Sequence, residues 1–164
     1  MGAAVKKTNA MRELEVAGIA YRVHTYEHVE GDFSGVHVAE QLGEDPDQVF
    51  KTLVCAAPSG AHVVCCIPVD QELDLKRAAR AAGCKALSML PLRDLTAVTG
   101  YVRGGCSPVG MKKPFPTIID ETCQLFDTIM VSGGRRGIQL ELDPAELVRI
   151  TKAQMADICM EGKA

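Results

Sequence analysis

Val49-Phe50-Lys51-Thr52-Leu53-Val54-Cys55-Ala56-Ala57, then Pro58-Ser59-Gly60-Ala61, then His62-Val63-Val64-Cys65-Cys66-Ile67, is the stretch on which the fold turns. Two apolar runs separated by four turn-forming residues predict a β-hairpin. A hairpin pairs antiparallel strands, so the sheet that holds it is not purely parallel. Strands and helices interleave on both sides of it, which makes the class α/β (mixed α+β) with a mixed sheet.

Upstream, Thr8 or Asn9 is placed to cap a helix carrying Met11, Leu14 and Ala17 at helical spacing, with Gly18 to end it. Ile19, Tyr21, Val23 and Thr25 then alternate as a half-buried strand requires. A second helix is expected over 36–42, stopped by Gly43. Downstream, Asp74 caps an alanine- and arginine-rich helix over 75–82, and Gly83 lies beyond its end. A short helix is expected near Pro91, followed by strand-like Tyr101-Val102, 117–120, 128–131 and the alternating Ile138-Gln139-Leu140-Glu141-Leu142. Asp143-Pro144 opens a last helix, an aspartate cap with proline at the first helical position.

With 164 residues, 47% of them hydrophobic, the chain suits one well-cored domain, 1–164, with 1–7 as a flexible tail. A net charge of −3 rules out the bulk basic excess of a protein that coats nucleic acid, so any such contact must come from a local patch. The seven cysteines include no Cys-x-x-Cys pair and no zinc-type spacing, and their odd number does not suit a closed disulfide framework. Several lie in apolar runs, as free thiols do in a reducing compartment. No apolar core follows the lysines of 1–7, and no run approaches the ~18 apolar residues of a membrane span. The expectation is a cytoplasmic protein with no membrane and no DNA partner, and with no metal or cofactor.

Lys51 puts a charge on an otherwise apolar strand. Burying it unpaired is costly, so it either meets an anion or reaches water from an edge. Gly104-Gly105-Cys106-Ser107-Pro108-Val109-Gly110 forms a glycine loop able to aim backbone N–H groups at an oxygen, or simply a tight connection. It matches neither the Walker loop nor the dinucleotide fingerprint. Cys106 has no histidine near it in sequence. His24 and His28 flank Tyr26 in a run that reads as extended, where four-residue spacing does not suit a metal. Arg103, Lys112, Lys113, Arg135 and Arg136 concentrate positive charge about the glycine turns, as phosphate contacts or as solvated loop charge.

Taken jointly, Phe50-Lys51-Thr52-Leu53, Gly100-Tyr101 with Gly104-Gly105-Cys106-Ser107-Pro108, Lys112-Lys113, Pro116-Thr117-Ile118-Ile119-Asp120 and Ser132-Gly133-Gly134 with Arg136-Gly137 resemble the YbaK family, in the same order, from about Thr8 to Ile158. These are freestanding relatives of the editing domain of bacterial prolyl-tRNA synthetases. The resemblance implies a single domain with a mixed, partly barrel-like β-sheet flanked by helices, and an aminoacyl-tRNA deacylase acting on Cys-tRNA(Pro). Its partners would be tRNA(Pro) carrying cysteine and prolyl-tRNA synthetase. It also implies Lys51 as the catalytic residue, with Tyr26, Thr52, Gly104, Gly105, Ser107, Ser132, Gly133 and Gly134 about the substrate and the five basic residues above on tRNA phosphates. In the implied mechanism the cysteine on the tRNA attacks its own ester carbonyl, and the protein supplies positioning and charge stabilisation from Lys51 and the glycine-loop N–H groups. Gln139 departs from the pattern, standing where relatives can carry aspartate. Other outcomes are a deacylase for Ala-tRNA(Pro) using water, or a tRNA- or nucleotide-binding module without turnover.

Overall fold

A computed structural model describes residues 6–27 and 35–161. His28 and residues 1–5 of the expected tail lie outside the described residues. The hairpin forms as expected: β2 (Phe50–Ala56) and β3 (His62–Pro68) pair antiparallel, Lys51 opposite Ile67 and Thr52 opposite Cys66. On β3 lies β5 (Thr117–Asp120), parallel, and on β5 lies β8 (Gln154–Ala156), also parallel. A two-residue β4 (Ser88–Met89) pairs with the far end of β2 and completes a five-stranded sheet.

The second sheet has three antiparallel strands in the order β1 (Arg22–Thr25), β7 (Ile138–Leu142), β6 (Ile129–Ser132). One parallel bridge, Val49 to Met130, sews it to the first. There the Met130 N–H donates to the Gln48 carbonyl at 3.0 Å and the Val69 N–H to the Val49 carbonyl at 2.9 Å. Beyond the bridge β2 and β6 do not pair, and the end of β2 bonds to β4. The expected mixed α/β architecture is present, and its curled sheet stops short of a closed barrel.

Strand alternation sorts the core. Phe50, Val54, Ile129, Val131, Ile138, Leu140 and Leu142 turn to one face and pack with Leu14 of α1 (Asn9–Val16) and Leu147 of α5 (Pro144–Thr151). On the other face Cys65, Ile67 and Ile118 meet Ala78 and Ala79 of α3 (Leu75–Ala82), while Val49, Val69 and Met130 meet Ala39 of α2 (Gly35–Leu42). Each fully buried aliphatic or aromatic side chain contributes about 1.5–3 kcal/mol. The caps are those read from sequence: Thr8 accepts from the Met11 N–H, Asp74 from Lys76 and Arg77, and Asp143 from Ala145.

Two expectations fail. Tyr101-Val102 is not a strand, because the Tyr101 carbonyl accepts the hydroxyls of Thr96 and Thr99 and is spent finishing α4 (Leu95–Thr99). The alternation from Ile19 to Thr25 shrinks to β1, an edge strand on which Val23 is exposed and His24 turns inward. The core face runs out at that edge, so its apolar residue has nothing to cover it. β4 and β8 are too short to carry a periodic signal.

Gly110 shows how tightly the glycine loop packs. Its φ is +82°, and a Cβ there would lie 2.6 Å from the Tyr101 hydroxyl and 2.8 Å from the Ala10 backbone nitrogen. That hydroxyl donates to the Val109 carbonyl at 2.6 Å, fixing loop to ring. Gly110→Ala should lower stability by roughly 2–3 kcal/mol, read from urea midpoints at constant slope.

Candidate active site

Register alone brings the site together. Val49 faces Met130 across the bridge, so Lys51 and Ser132 each stand two residues further along parallel chains, on the same side of the sheet. Ser132 is opposite Gln139, and Gln139 opposite His24. One row of polar side chains thus crosses four strands in the order Lys51, Ser132, Gln139, His24.

Each member of the row has a distinct environment. Lys51 is half-buried and has partners among its surroundings. Its charge is felt at Cys159, whose thiol burial pushes up to about 12 while Lys51 pulls the other way. The Ser132 hydroxyl accepts from the Gly134 N–H at 3.3 Å and keeps its own proton to donate. Gln139 is only 6% exposed, and its Oε1 has no hydrogen-bond partner among the described residues. An orphaned buried acceptor costs on the order of 1–3 kcal/mol, and this one lies in the row between Ser132 and His24.

At the end of the row His24 Nε2 lies 2.7 Å from Glu141 Oε1, and Thr128 Oγ1 donates to the other carboxylate oxygen at 2.5 Å. Gln48 in turn donates to the Thr128 carbonyl at 2.8 Å. The Thr128 bond first, then His24, holds the Glu141 carboxyl below its ordinary range. Sequence reading marked His24 but not Glu141 or Thr128. The alternation of 138–142 did show 139 and 141 as polar positions on one face, but not what they would meet across the strands.

The two glycine turns touch through their backbones. A Cβ on Gly105 would lie 3.0 Å from the Arg136 nitrogen and 3.1 Å from the Arg135 carbonyl carbon, so glycine is what permits the approach. Arg136 Nε donates to the Arg103 carbonyl at 2.8 Å, and Thr8 Oγ1 to the Gly133 carbonyl at 2.6 Å. Gly104 and Gly134 take φ values of +82° and +96°. Tyr26 donates its N–H to the Gly137 carbonyl at 2.9 Å, which seats it beside the second turn.

Several residues singled out in the sequence stand elsewhere. Thr52 turns to the opposite face from Lys51, its hydroxyl 3.9 Å from Cys66 Sγ. Ser107 is fully buried and its hydroxyl accepts from the Val109 N–H, so it holds the loop and is closed to a substrate. The N–H groups of Gly105 and Gly133 are spent on the Val102 and Ile138 carbonyls, both at 2.9 Å, and are not aimed at an oxyanion. Arg103, Arg135 and Arg136 gather on the glycine turns. Lys112 borders a hollow of about 300 Å³ with Arg12, Asn9 and Tyr101, whereas Lys113 sits over the Phe115 ring at 5.7 Å, beside His62.

Neither Cys66 nor Cys106 is set up as a nucleophile. Burial pushes Cys106 up to about 11, against a hydrogen bond from Thr99, and pushes Cys66 up to about 12. Among the described residues no set of three His, Cys, Asp or Glu comes together as a metal site, and no helix is long and apolar enough to cross a membrane.

This mixed fold of two bridged sheets is that of an editing domain. Residues 34–150 match the aminoacyl-tRNA editing domain, and the chain belongs to that family. It is 47% identical over 153 residues, 93% of each chain, to a candidate Cys-tRNA(Pro)/Cys-tRNA(Cys) deacylase, EbsC, of Enterococcus faecalis. Among solved structures it resembles a candidate trans-editing enzyme for prolyl-tRNA synthetase (25% identity, TM-score 0.81, covering 93% of this chain and 95% of that one). It also resembles a scaffold protein used for epitope backbone grafting (26% identity, TM-score 0.82, covering 94% and 96%).

The depressed Glu141 carboxyl makes a pH prediction. A carboxylate with a lowered folded pKa stabilises the fold fully above its unfolded value, about 4.3, and that stabilisation is lost as pH falls through the folded value. Urea midpoints of the wild type should therefore drop below about pH 4 more steeply than those of Glu141→Gln.

Proposed function

We propose that this protein is a freestanding deacylase that removes cysteine from mischarged Cys-tRNA(Pro), working in trans beside prolyl-tRNA synthetase in the cytoplasm. The observation that carries the reading is the polar row that register places across four strands, Lys51, Ser132, Gln139 and His24. The 47% identity to the Enterococcus protein supports the substrate class. A pocket discriminates poorly between side chains as close in size as cysteine and proline, so a synthetase that admits both needs a second sieve.

The chemistry follows from what the row contains. The cysteinyl thiolate attacks its own ester carbonyl, the C–O bond to the terminal ribose breaks, and a thiolactone leaves. Lys51 stabilises the negative charge that develops on the carbonyl oxygen, with the Ser132 hydroxyl as a second donor. This replaces the glycine-loop oxyanion donor first expected at Gly105, whose N–H is committed to the Val102 carbonyl. Gly104, Gly134 and Tyr26 shape the walls. Arg103, Arg135, Arg136 and Lys112 lie on one flank and take the phosphates of the acceptor end, a local patch on a chain of net charge −3.

Two measurements test this. Loss of labelled cysteine from Cys-tRNA(Pro) should slow about 100-fold or more with Lys51→Ala, while Cys106→Ala stays within about twofold of wild type. Wild-type release of alanine from Ala-tRNA(Pro) at a similar rate would instead show water attack. Binding of tRNA(Pro) should weaken with salt, and Arg135→Ala should reduce the slope of log K against log salt by about 1.

A further inference from the structure

Thiol attack requires a base, since a cysteine side chain is mostly protonated at neutral pH. We infer that His24, oriented by Glu141, is the general base that takes the proton from the substrate thiol. The inference rests on the deacylase reading above and adds a residue to it.

The tautomer follows from the partners. Glu141 is held ionised, and an ionised carboxylate only accepts, so the 2.7 Å contact requires the proton on His24 Nε2. Nδ1 is thus the ring nitrogen left to accept a proton, and no hydrogen bond from a described residue occupies it. The carboxylate is itself fixed by Thr128, and Thr128 by Gln48, so the imidazole is held the way a triad holds its histidine. At 30% side-chain exposure the ring is reachable from outside.

Position on the sheet agrees. His24 ends the row that Lys51 begins, three strands away. Between them stand Ser132 and Gln139, whose buried Oε1 has no hydrogen-bond partner among the described residues. With the ester carbonyl at the Lys51 end, the cysteinyl thiol points toward His24.

The step balances without a co-reactant. The S–H proton passes to Nδ1 as the sulfur lone pair forms the S–C bond. The carbonyl reforms, the C–O electron pair leaves with the ribose oxygen, that oxygen takes a proton from water, and the imidazolium gives its proton to the hydroxide so formed. Thiolactone and free tRNA are the products. Glu141 stabilises the transient imidazolium and acts as a positioning residue.

Single-turnover deacylation tests it with two substrates, Cys-tRNA(Pro) and selenocysteinyl-tRNA(Pro), whose selenol is already ionised at neutral pH. His24→Gln keeps a donor for Glu141, and its melting temperature is checked against wild type. The expected result is a 100-fold or greater loss on the cysteine substrate at unchanged KM, with the selenocysteine substrate cleaved within about threefold of wild type. An equal loss on both substrates, or no loss on either, overturns the base assignment while wild-type activity leaves the deacylase reading standing. Absence of wild-type activity on Cys-tRNA(Pro) would overturn both.

Discussion

One parallel bridge, Val49 to Met130, is the constraint on which the site depends. It joins a five-stranded sheet to a three-stranded one and sets their relative register. Because side chains alternate along a strand, that one pairing decides that Lys51, Ser132, Gln139 and His24 share a face; a slip of one residue would turn Lys51 into the core and Phe50 out of it. The packing of Val49, Met130, Val69 and Ala39 beneath α2 holds the register, since a slip would also empty that cluster. Alignment of the polar row is thus maintained by hydrophobic packing against α2.

The glycine turns do different work from that suggested by their composition. Rather than presenting N–H groups to a ligand, Gly105 and Gly133 spend them internally, and the absence of side chains lets the turns press together. The contact is stiff because Tyr101 and Thr8 bolt the turns to α1 and to the loop carbonyls. Preorganisation of this kind lowers the entropy cost of ordering a wall around the substrate.

Much of the fold was legible because its signals are local. The hairpin of β2 and β3, the capped helices α3 and α5, and the alternating β7 follow from turn residues, caps and period-two burial within a few residues of one another. The lysine was legible because a charge in an apolar strand demands a partner. What was not legible depends on pairings between distant segments. The Val49–Met130 bridge, the His24–Glu141 contact and the burial of Ser107 each arise from chain that returns to the same place after many residues. Tyr101-Val102 misled because two β-favouring residues say nothing of hydroxyls that claim their carbonyl.

The raised thiol pKa values have a further consequence. On the proposed chemistry the released thiolactone is an acylating agent, and a protein thiolate within reach would be captured as a thioester. Burial raises the thiol pKa of Cys66 and Cys106, with Cys106 7% exposed and Cys66 closed to solvent. These two cysteines are therefore poorly placed to intercept an activated cysteinyl group.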